Sequence, residues 1–342
     1  MTATSDPVRI AVIGVGRIGR LHAGLLAHQV RGARLVAVHD PDAQAAGTVA
    51  DELDVPAVGE VDALLARDDV DAVAICSSTD THANLMIAAA RAGKAIFCEK
   101  PISLELAEVD RALSAVDEAG VALQVGFNRR FDPAHHAVRE AVVNGEVGDP
   151  HLVRISSRDP APPPLDYVRV SGGIFLDMTI HDFDMARYLT GSEVVDVYAR
   201  GALRIDQAFG ETGDVDTAVV TLSHDNGCLT AIDNSRKAVY GFDQRVEVFG
   251  SRGMAASENP LAETSVVRTA DGTSMPALPH FFLDRYTTSY VRAWEAFVDA
   301  LHAGQPPPVT GADGRAPLVI GLAAWRSLDE RRPVTVAEID GA

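Results

Sequence analysis

The sequence predicts an α/β protein in two parts, a doubly wound parallel sheet followed by an α+β domain with a large, mainly antiparallel sheet. Three observations predict it. The run Gly14-Val15-Gly16-Arg17-Ile18-Gly19 joins an apolar strand to a helix near the N-terminus. Strand and helix patterns then alternate as far as Gly126, the rhythm of βαβ units. Beyond Asn144, strand patterns mostly follow one another directly, with hairpin signals between them. At 342 residues the chain exceeds what one hydrophobic core usually organises, and it divides on this reading into 1–126 and 127–342.

Val8 to Ile13 reads as the first strand, and Leu21, Leu25 and Leu26 mark the apolar face of the helix after the turn. Each glycine has a task. Gly14 allows the tight turn, Gly16 lets the backbone approach a pyrophosphate, and Gly19 brings helix and strand together. Arg17 and Ile18 open the helix whose N-terminus meets the negative charge. A second strand, Arg34 to His39, ends at Asp40, about 20 residues past the last glycine, where a carboxylate accepts hydrogen bonds from ribose hydroxyls. The same carboxylate repels a 2′-phosphate, which favours NAD over NADP, with Arg17 and His39 as the residues able to blur that preference. The competing task for Asp40 is a helix N-cap ahead of Pro41.

The alternation continues with strands Val70–Cys76, Lys94–Cys98 and Ala122–Gly126 and helices Thr81–Ala92 and Ser103–Ala119. In such sheets ligands sit at the carboxyl ends of the strands. Ser77, Ser78, Thr79 and His82 occupy that place after one strand, and Glu99-Lys100-Pro101 occupy it after another, so these residues are expected to face the cofactor.

In the second part, strands are expected at His151–Ser157, Val194–Ala199, Thr217–Leu222, Cys228–Asn234, Gln244–Phe249 and Thr264–Thr269, with turns at Asp225-Asn226-Gly227 and Asp271-Gly272. Phe281–Ala300 and Pro317–Asp329 read as helices. Tyr286, Tyr290, Trp294 and Phe297 form an aromatic stripe that reads as core, with Tyr286 or Tyr290 as exceptions at a site mouth. The stretch from Gly172 to Leu189 reads as one helix after a glycine pair. On it Asp177, His181, Asp184 and Tyr188 share a narrow stripe between apolar flanks, so the stripe is expected to face an enclosed space. The plainer alternative is a helix N-terminus favouring acids, with a core histidine.

Composition removes several function classes. A formal net charge of −18 repels phosphate backbones and anionic lipid, which argues against nucleic acid and membrane surfaces as partners. The three cysteines, Cys76, Cys98 and Cys228, contain no CxxC pair, so a reduced compartment is expected and no metal site. Met1 to Pro7 is short and polar, and no apolar run is long enough to span a bilayer, so the expectation is a cytoplasmic protein. No tyrosine is followed four residues later by lysine, which sets aside the short-chain dehydrogenase plan.

The glycine turn, Asp40, Glu99-Lys100-Pro101, Gly126-Phe127-Asn128-Arg129-Arg130-Phe131-Asp132 and the Asp177-x-x-x-His181 stretch stand in one order over almost the whole chain. Together they resemble the Gfo/Idh/MocA oxidoreductases, and within them the branch that oxidises inositols. The resemblance implies an N-terminal Rossmann domain and a C-terminal domain on a large open sheet, through which chains assemble into dimers or tetramers. It implies NAD-dependent oxidation of a secondary hydroxyl on a cyclic polyol, with Lys100, Asp177 and His181 as the catalytic trio. It also implies polyol contacts at Asn128, Asp159, Tyr240 and Tyr290 besides the trio. The chain departs from many relatives at Thr79, where they have proline. Some inositol dehydrogenases have methionine where this chain has Asn128 and histidine where it has Ser157. A dinucleotide-binding regulator without turnover is the rival from another class, but it has no chemical need for the complete trio.

Overall fold

The computed structural model describes residues 6–341; Met1–Ser5, most of the polar N-terminal stretch, lie outside the described residues. The chain separates into two units. One holds the residues up to Asn128 together with Thr288–Ala316, and the other holds Arg129–Thr287 with the residues from Pro317 onward.

The first unit is built on β1 (Val8–Ile13), β2 (Ala33–His39), β3 (Ala72–Ile75), β4 (Ala95–Cys98) and β5 (Leu123–Val125). They form one parallel sheet in the order β2-β1-β3-β4-β5. Helices α1 (Arg17–His28), α2 (Ala43–Leu53), α3 (Val61–Leu65), α4 (Thr79–Arg91) and α5 (Leu106–Ala119) make the connections. Every residue of β3 is buried, as a strand covered on both faces requires. The cap of α2 is Asp42, whose side chain accepts from the Gln44 and Ala45 amides, so the N-cap task considered for Asp40 belongs to its neighbour.

The second unit continues with α6 (Pro133–Val143), β6 (Pro150–Arg158), α7 (Leu165–Ser171), α8 (Ile180–Thr190), β7 (Val194–Ala202), β8 (Thr217–His224), β9 (Leu229–Ser235), β10 (Asp243–Gly250) and β11 (Met254–Ser257). After the small exposed hairpin of β12 (Val267–Thr269) and β13 (Gly272–Ser274) come α9 (Phe282–Ala303), α10 (Gly311–Glu330), β14 (Val334–Thr335) and α11 (Val336–Asp340). Seven strands make one sheet in the order β11-β10-β6-β9-β8-β7-β14, antiparallel throughout except for the parallel pair β6 and β9. The core face alternates cleanly, for instance Ala218, Val220 and Leu222 on β8, and meets Phe183 and Met185 of α8.

Two expectations need correction. The segment Thr288–Ala316, expected in the second part, joins the first unit. There Trp294 stacks on Phe97 at 4.1 Å, and the Gln124 side chain donates to the Ala293 carbonyl. An amphipathic helix shows which of its faces is apolar, not which core that face covers. The helix expected across Gly172–Leu189 is also interrupted. Ile174–Met178 is one π turn, closed by the Thr179 amide on the Ile174 carbonyl at 2.8 Å, and α8 starts only at Ile180. The wider turn shifts the angular phase, so the expected four-residue stripe does not stay together.

Candidate active site

In the first unit the residues after four strands form a continuous rim at the carboxyl edge of the sheet. The Gly14 amide donates to the His39 carbonyl at 2.8 Å, and a Cβ on Gly14 would lie 2.5 Å from the Ser77 backbone. A Cβ on Gly19 would lie 1.8 Å from the Gly14 carbonyl oxygen, so only glycine lets the helix sit this close to the strand. Around Gly16 a Cβ would meet nothing within 4 Å, which leaves the space a pyrophosphate needs beside the N-terminus of α1 and beside Arg17 and Ile18. Asp40 is held from two sides. Its Oδ2 accepts from the Val15 amide at 2.8 Å and its Oδ1 from the Asp42 amide at 2.9 Å, so the carboxylate faces the glycine turn with lone pairs left for ribose hydroxyls. His39 is turned away, its Nδ1 on the Val58 carbonyl.

Ser77, Ser78 and Thr79 stand where β3 passes into α4, with partly or fully open side chains; Ser77 reaches Thr81 and Thr81 donates to the Ser78 carbonyl. Two residues expected to touch the cofactor are instead turned into the protein. His82 is buried, its ring nitrogens 2.9 Å from the Pro101 carbonyl and 3.0 Å from the Ser77 carbonyl, so it ties the loop after β3 to the loop after β4. Glu99 is buried as well. Its Oε1 meets His22 Nε2 at 2.8 Å and its Oε2 accepts from the Lys100 amide at 3.2 Å. The Trp294 indole donates to His22 Nδ1 at 2.8 Å, and since an indole only donates, the ring proton sits on Nε2 toward Glu99. The acid beside Lys100 therefore fixes the turn carrying the lysine, whose own side chain is half-buried.

In the second unit, Asp177 and His181 are the only partly open side chains between Ile174 and Met185; the other ten are buried. Asp177 Oδ1 accepts from the Tyr167 hydroxyl at 2.9 Å, and Oδ2 lies 3.3 Å from Nη1 of the buried Arg236. Asp184 and Tyr188, expected on the same stripe, serve elsewhere. Asp184 is buried in a bidentate pair with Arg130, and the Tyr188 ring lies beneath the Arg130 guanidinium.

Next to His181 in sequence, Asp182 is fully buried in a polar set. Its Oδ1 accepts from Arg129 Nη1 at 2.7 Å and from the Ser157 hydroxyl, and its Oδ2 accepts from Asn234 Nδ2 at 2.7 Å. Asn234 Oδ1 accepts from the Thr179 hydroxyl at 2.7 Å. Burial pushes the Asp182 carboxyl up while Arg129 and these donors oppose it. Gln244, Ser157 and Asn234 are register partners across β10, β6 and β9, so the sheet ends in a rung of polar side chains that clamps the first turn of α8. The sequence pattern assigns no site role to Tyr167, Arg236, Asp182, Asn234 or Asp214, and Arg129 enters it only within the Gly126–Asp132 motif. One signal was there. Ser157, Asn234 and Gln244 occupy the core phase of their strands, in line with Val153 and Ile155, Thr230 and Ile232, and Val246 and Val248.

The remaining candidates separate. Asn128 is buried, and its Nδ2 has no hydrogen-bond partner among the described residues, so an acceptor on a bound group would satisfy it. Asp159 follows β6, and its carboxyl is pushed up to about 6, by burial first and then by Asp177, against the pull of Arg236 and Arg129. Tyr240 is half exposed, its hydroxyl donating to Asp243 and accepting from Arg158. Tyr290 is buried edge-on against His22, and Tyr286 is buried against Phe242 and Arg285, so the aromatic stripe of α9 is core. Among the described residues, no group of three or more His, Cys, Asp or Glu is placed to hold a metal ion.

Comparison with known proteins decides the family. Residues 8–127 match the oxidoreductase family with an NAD-binding Rossmann fold, and residues 135–256 match the GFO/IDH/MocA C-terminal domain. The chain is 50% identical over 335 residues to a myo-inositol 2-dehydrogenase of Thermotoga maritima, covering 98% of this chain and 100% of that one. The chain belongs to the Gfo/Idh/MocA oxidoreductases. An inositol 2-dehydrogenase of Rhizobium meliloti is 47% identical to this oxidoreductase, over 96% of this chain and 99% of its own. A crystal structure of scyllo-inositol dehydrogenase from Lactobacillus casei with bound NAD(H) and scyllo-inositol superposes with a TM-score of 0.91 at 28% identity, covering 97% of this chain and all of that one. The oxidoreductase uses NAD. The space at Gly16 and the oriented Asp40 fit that cofactor.

Proposed function

We propose that this oxidoreductase removes hydride from a ring hydroxyl carbon of a cyclic polyol, foremost myo-inositol at its 2-position, to give the 2-keto product. The observation that carries the reading is the opening of Asp177 and His181 alone on a stretch that is otherwise buried. Such an opening serves a substrate; a core histidine has no need of it. NAD, when bound, supplies the hydride acceptor. His181 takes the hydroxyl proton, Asp177 orients the imidazole and stabilises its cation, and Lys100 stabilises the alkoxide that develops. The buried Asn128 amide and the partly open Asp159 carboxyl offer donors and acceptors to the other hydroxyls.

The same reading takes the exposed face of the seven-stranded sheet, with Val195, Val219, Leu229 and Phe249, as the surface through which copies assemble into dimers or tetramers. Among the described residues no helix is long and apolar enough to cross a membrane, and the cysteines are free and buried, in keeping with a cytoplasmic enzyme. A panel of inositol isomers and pyranoses scored by NADH absorbance tests the assignment. The highest kcat/KM is expected for myo-inositol; first place for scyllo-inositol moves the substrate to another isomer, and first place for an aldose overturns the polyol class.

A further inference from the structure

We propose that Arg236 and Tyr167 form a rigid two-sided holder for the Asp177 carboxylate, and that Arg236 is a positioning residue of the dehydrogenation, acting through Asp177 on the base. The inference rests on the reading that Asp177 orients His181. Arg236 directly follows β9 and is 1% exposed. Its Nη1 is 3.3 Å from Asp177 Oδ2, its Nη2 is 3.4 Å from Asp214 Oδ2, and its guanidinium lies over the Phe209 ring at 5.8 Å. Asp214 is itself fixed, its Oδ1 accepting from the Ile174 amide at 3.0 Å and the Val215 amide at 2.8 Å. Ile174 opens the π turn that carries Asp177, so the path Ile174, Asp214, Arg236, Asp177 and back along the chain is a closed ring.

In a closed ring no member can turn alone. Tyr167, on the far side, takes the other carboxylate oxygen at 2.9 Å, so both oxygens of Asp177 are held. A guanidinium suits the position because its fork spans two carboxylates at once and its charge does not titrate. The groups in play are Tyr167 from α7, Arg236 after β9, Asp159 after β6, His181 on α8, and Asp214 on the outer side of the arginine. Arg236, together with Arg129, opposes the rise that burial, Asp177 and Asp182 impose on the Asp159 carboxyl, so removing Arg236 pushes that carboxyl further up.

The test uses the full-length protein with NAD and the best polyol, and reads NAD affinity, KM, kcat and the pH profile of Arg236→Lys, Arg236→Met and Tyr167→Phe. Arg236→Lys keeps the charge and loses the fork; kcat is expected to fall about 10-fold with NAD affinity unchanged and a single ionisation on the acid side. Arg236→Met is expected to lose about 100-fold in kcat and to gain a second ionisation on the acid side. Tyr167→Phe, at a half-exposed site that tolerates the change, is expected to lose a few-fold in kcat with KM little changed. If Arg236→Met does not fold, the other two variants decide. Wild-type kcat and profile in both Arg236→Lys and Tyr167→Phe overturn the proposal, as does an Arg236→Met enzyme that loses stability but keeps kcat and a single ionisation. A wild-type enzyme that turns over no cyclitol fails the functional reading, which is a separate outcome.

Discussion

The glycine rim of the first unit and the carboxylate holder of the second place chemical groups by opposite means. The rim is made largely of backbone: Gly14 against Ser77, Gly19 against the Gly14 carbonyl, and the Val15 amide on Asp40. Its side chains matter mostly by being absent. The holder is made of side chains from distant segments, with Tyr167 and Arg236 converging on Asp177, Asp214 bracing Arg236 from behind, and Arg129, Ser157 and Asn234 converging on Asp182. Backbone sites are written in a few contiguous residues, whereas side-chain sites are written across the whole domain and are sensitive to single substitutions.

The largest effect is expected at the open end of the holder. His181→Ala should lower kcat/KM by about 10²- to 10⁴-fold, the usual contribution of a general base. In the wild type kcat/KM should rise with pH through a single ionisation in the histidine range, because only the neutral imidazole accepts the proton; the variant should lose that limb. A variant that keeps its rate and its limb moves the base to Lys100.

Asp182→Asn probes the buried set one residue away. It leaves Arg129 charged and without its carboxylate, so unfolding in urea should show a loss of about 3–5 kcal/mol, the cost of breaking a buried pair. A loss under about 1 kcal/mol would mean that Ser157 and Asn234 hold α8 by themselves.

On the rim, two glycines separate packing from ligand approach. Gly19→Ala should lower Tm, because its Cβ collides with backbone at 1.8 Å. Gly16→Ala should leave Tm within a few degrees, roughly the span of a small surface change, and weaken NAD binding, since the protein leaves its Cβ untouched. Equal Tm losses in the two variants would erase the distinction between the glycines.

The smallest effect concerns cofactor choice. A 2′-phosphate costs Asp40 its ribose hydrogen bonds and adds like charge, so kcat/KM should favour NAD over NADP by about 2 kcal/mol or more. Parity between the two would show that the nearby Arg17 offsets the acid.

Much of this was legible in the sequence. The five parallel strands fall within a few residues of their expected places, and the hairpin at Asp225-Asn226-Gly227 joins β8 to β9 as its turn residues require. Asp177 and His181 were marked by standing polar amid apolar neighbours. Asp184 had the same mark and serves a different purpose, because an acid's partner is chosen by what lies opposite, here Arg130. His82 and Glu99 follow strands in the way cofactor residues do, yet their partners, the Pro101 carbonyl and His22, lie 19 and 77 residues away.

By itself the sequence determined what depends on local periodicity and on backbone freedom: the two kinds of sheet, the glycine turn with its acid, and the position of the open polar pair. Only the tertiary structure decided which unit Thr288–Ala316 joins, where the π turn breaks the expected helix, and that Arg236 and Tyr167 meet Asp177 while Asp182 is buried against Arg129. The physical reason is that amides and glycines act on their immediate neighbours, whereas a buried charge is specified by partners that strand register brings together from far along the chain.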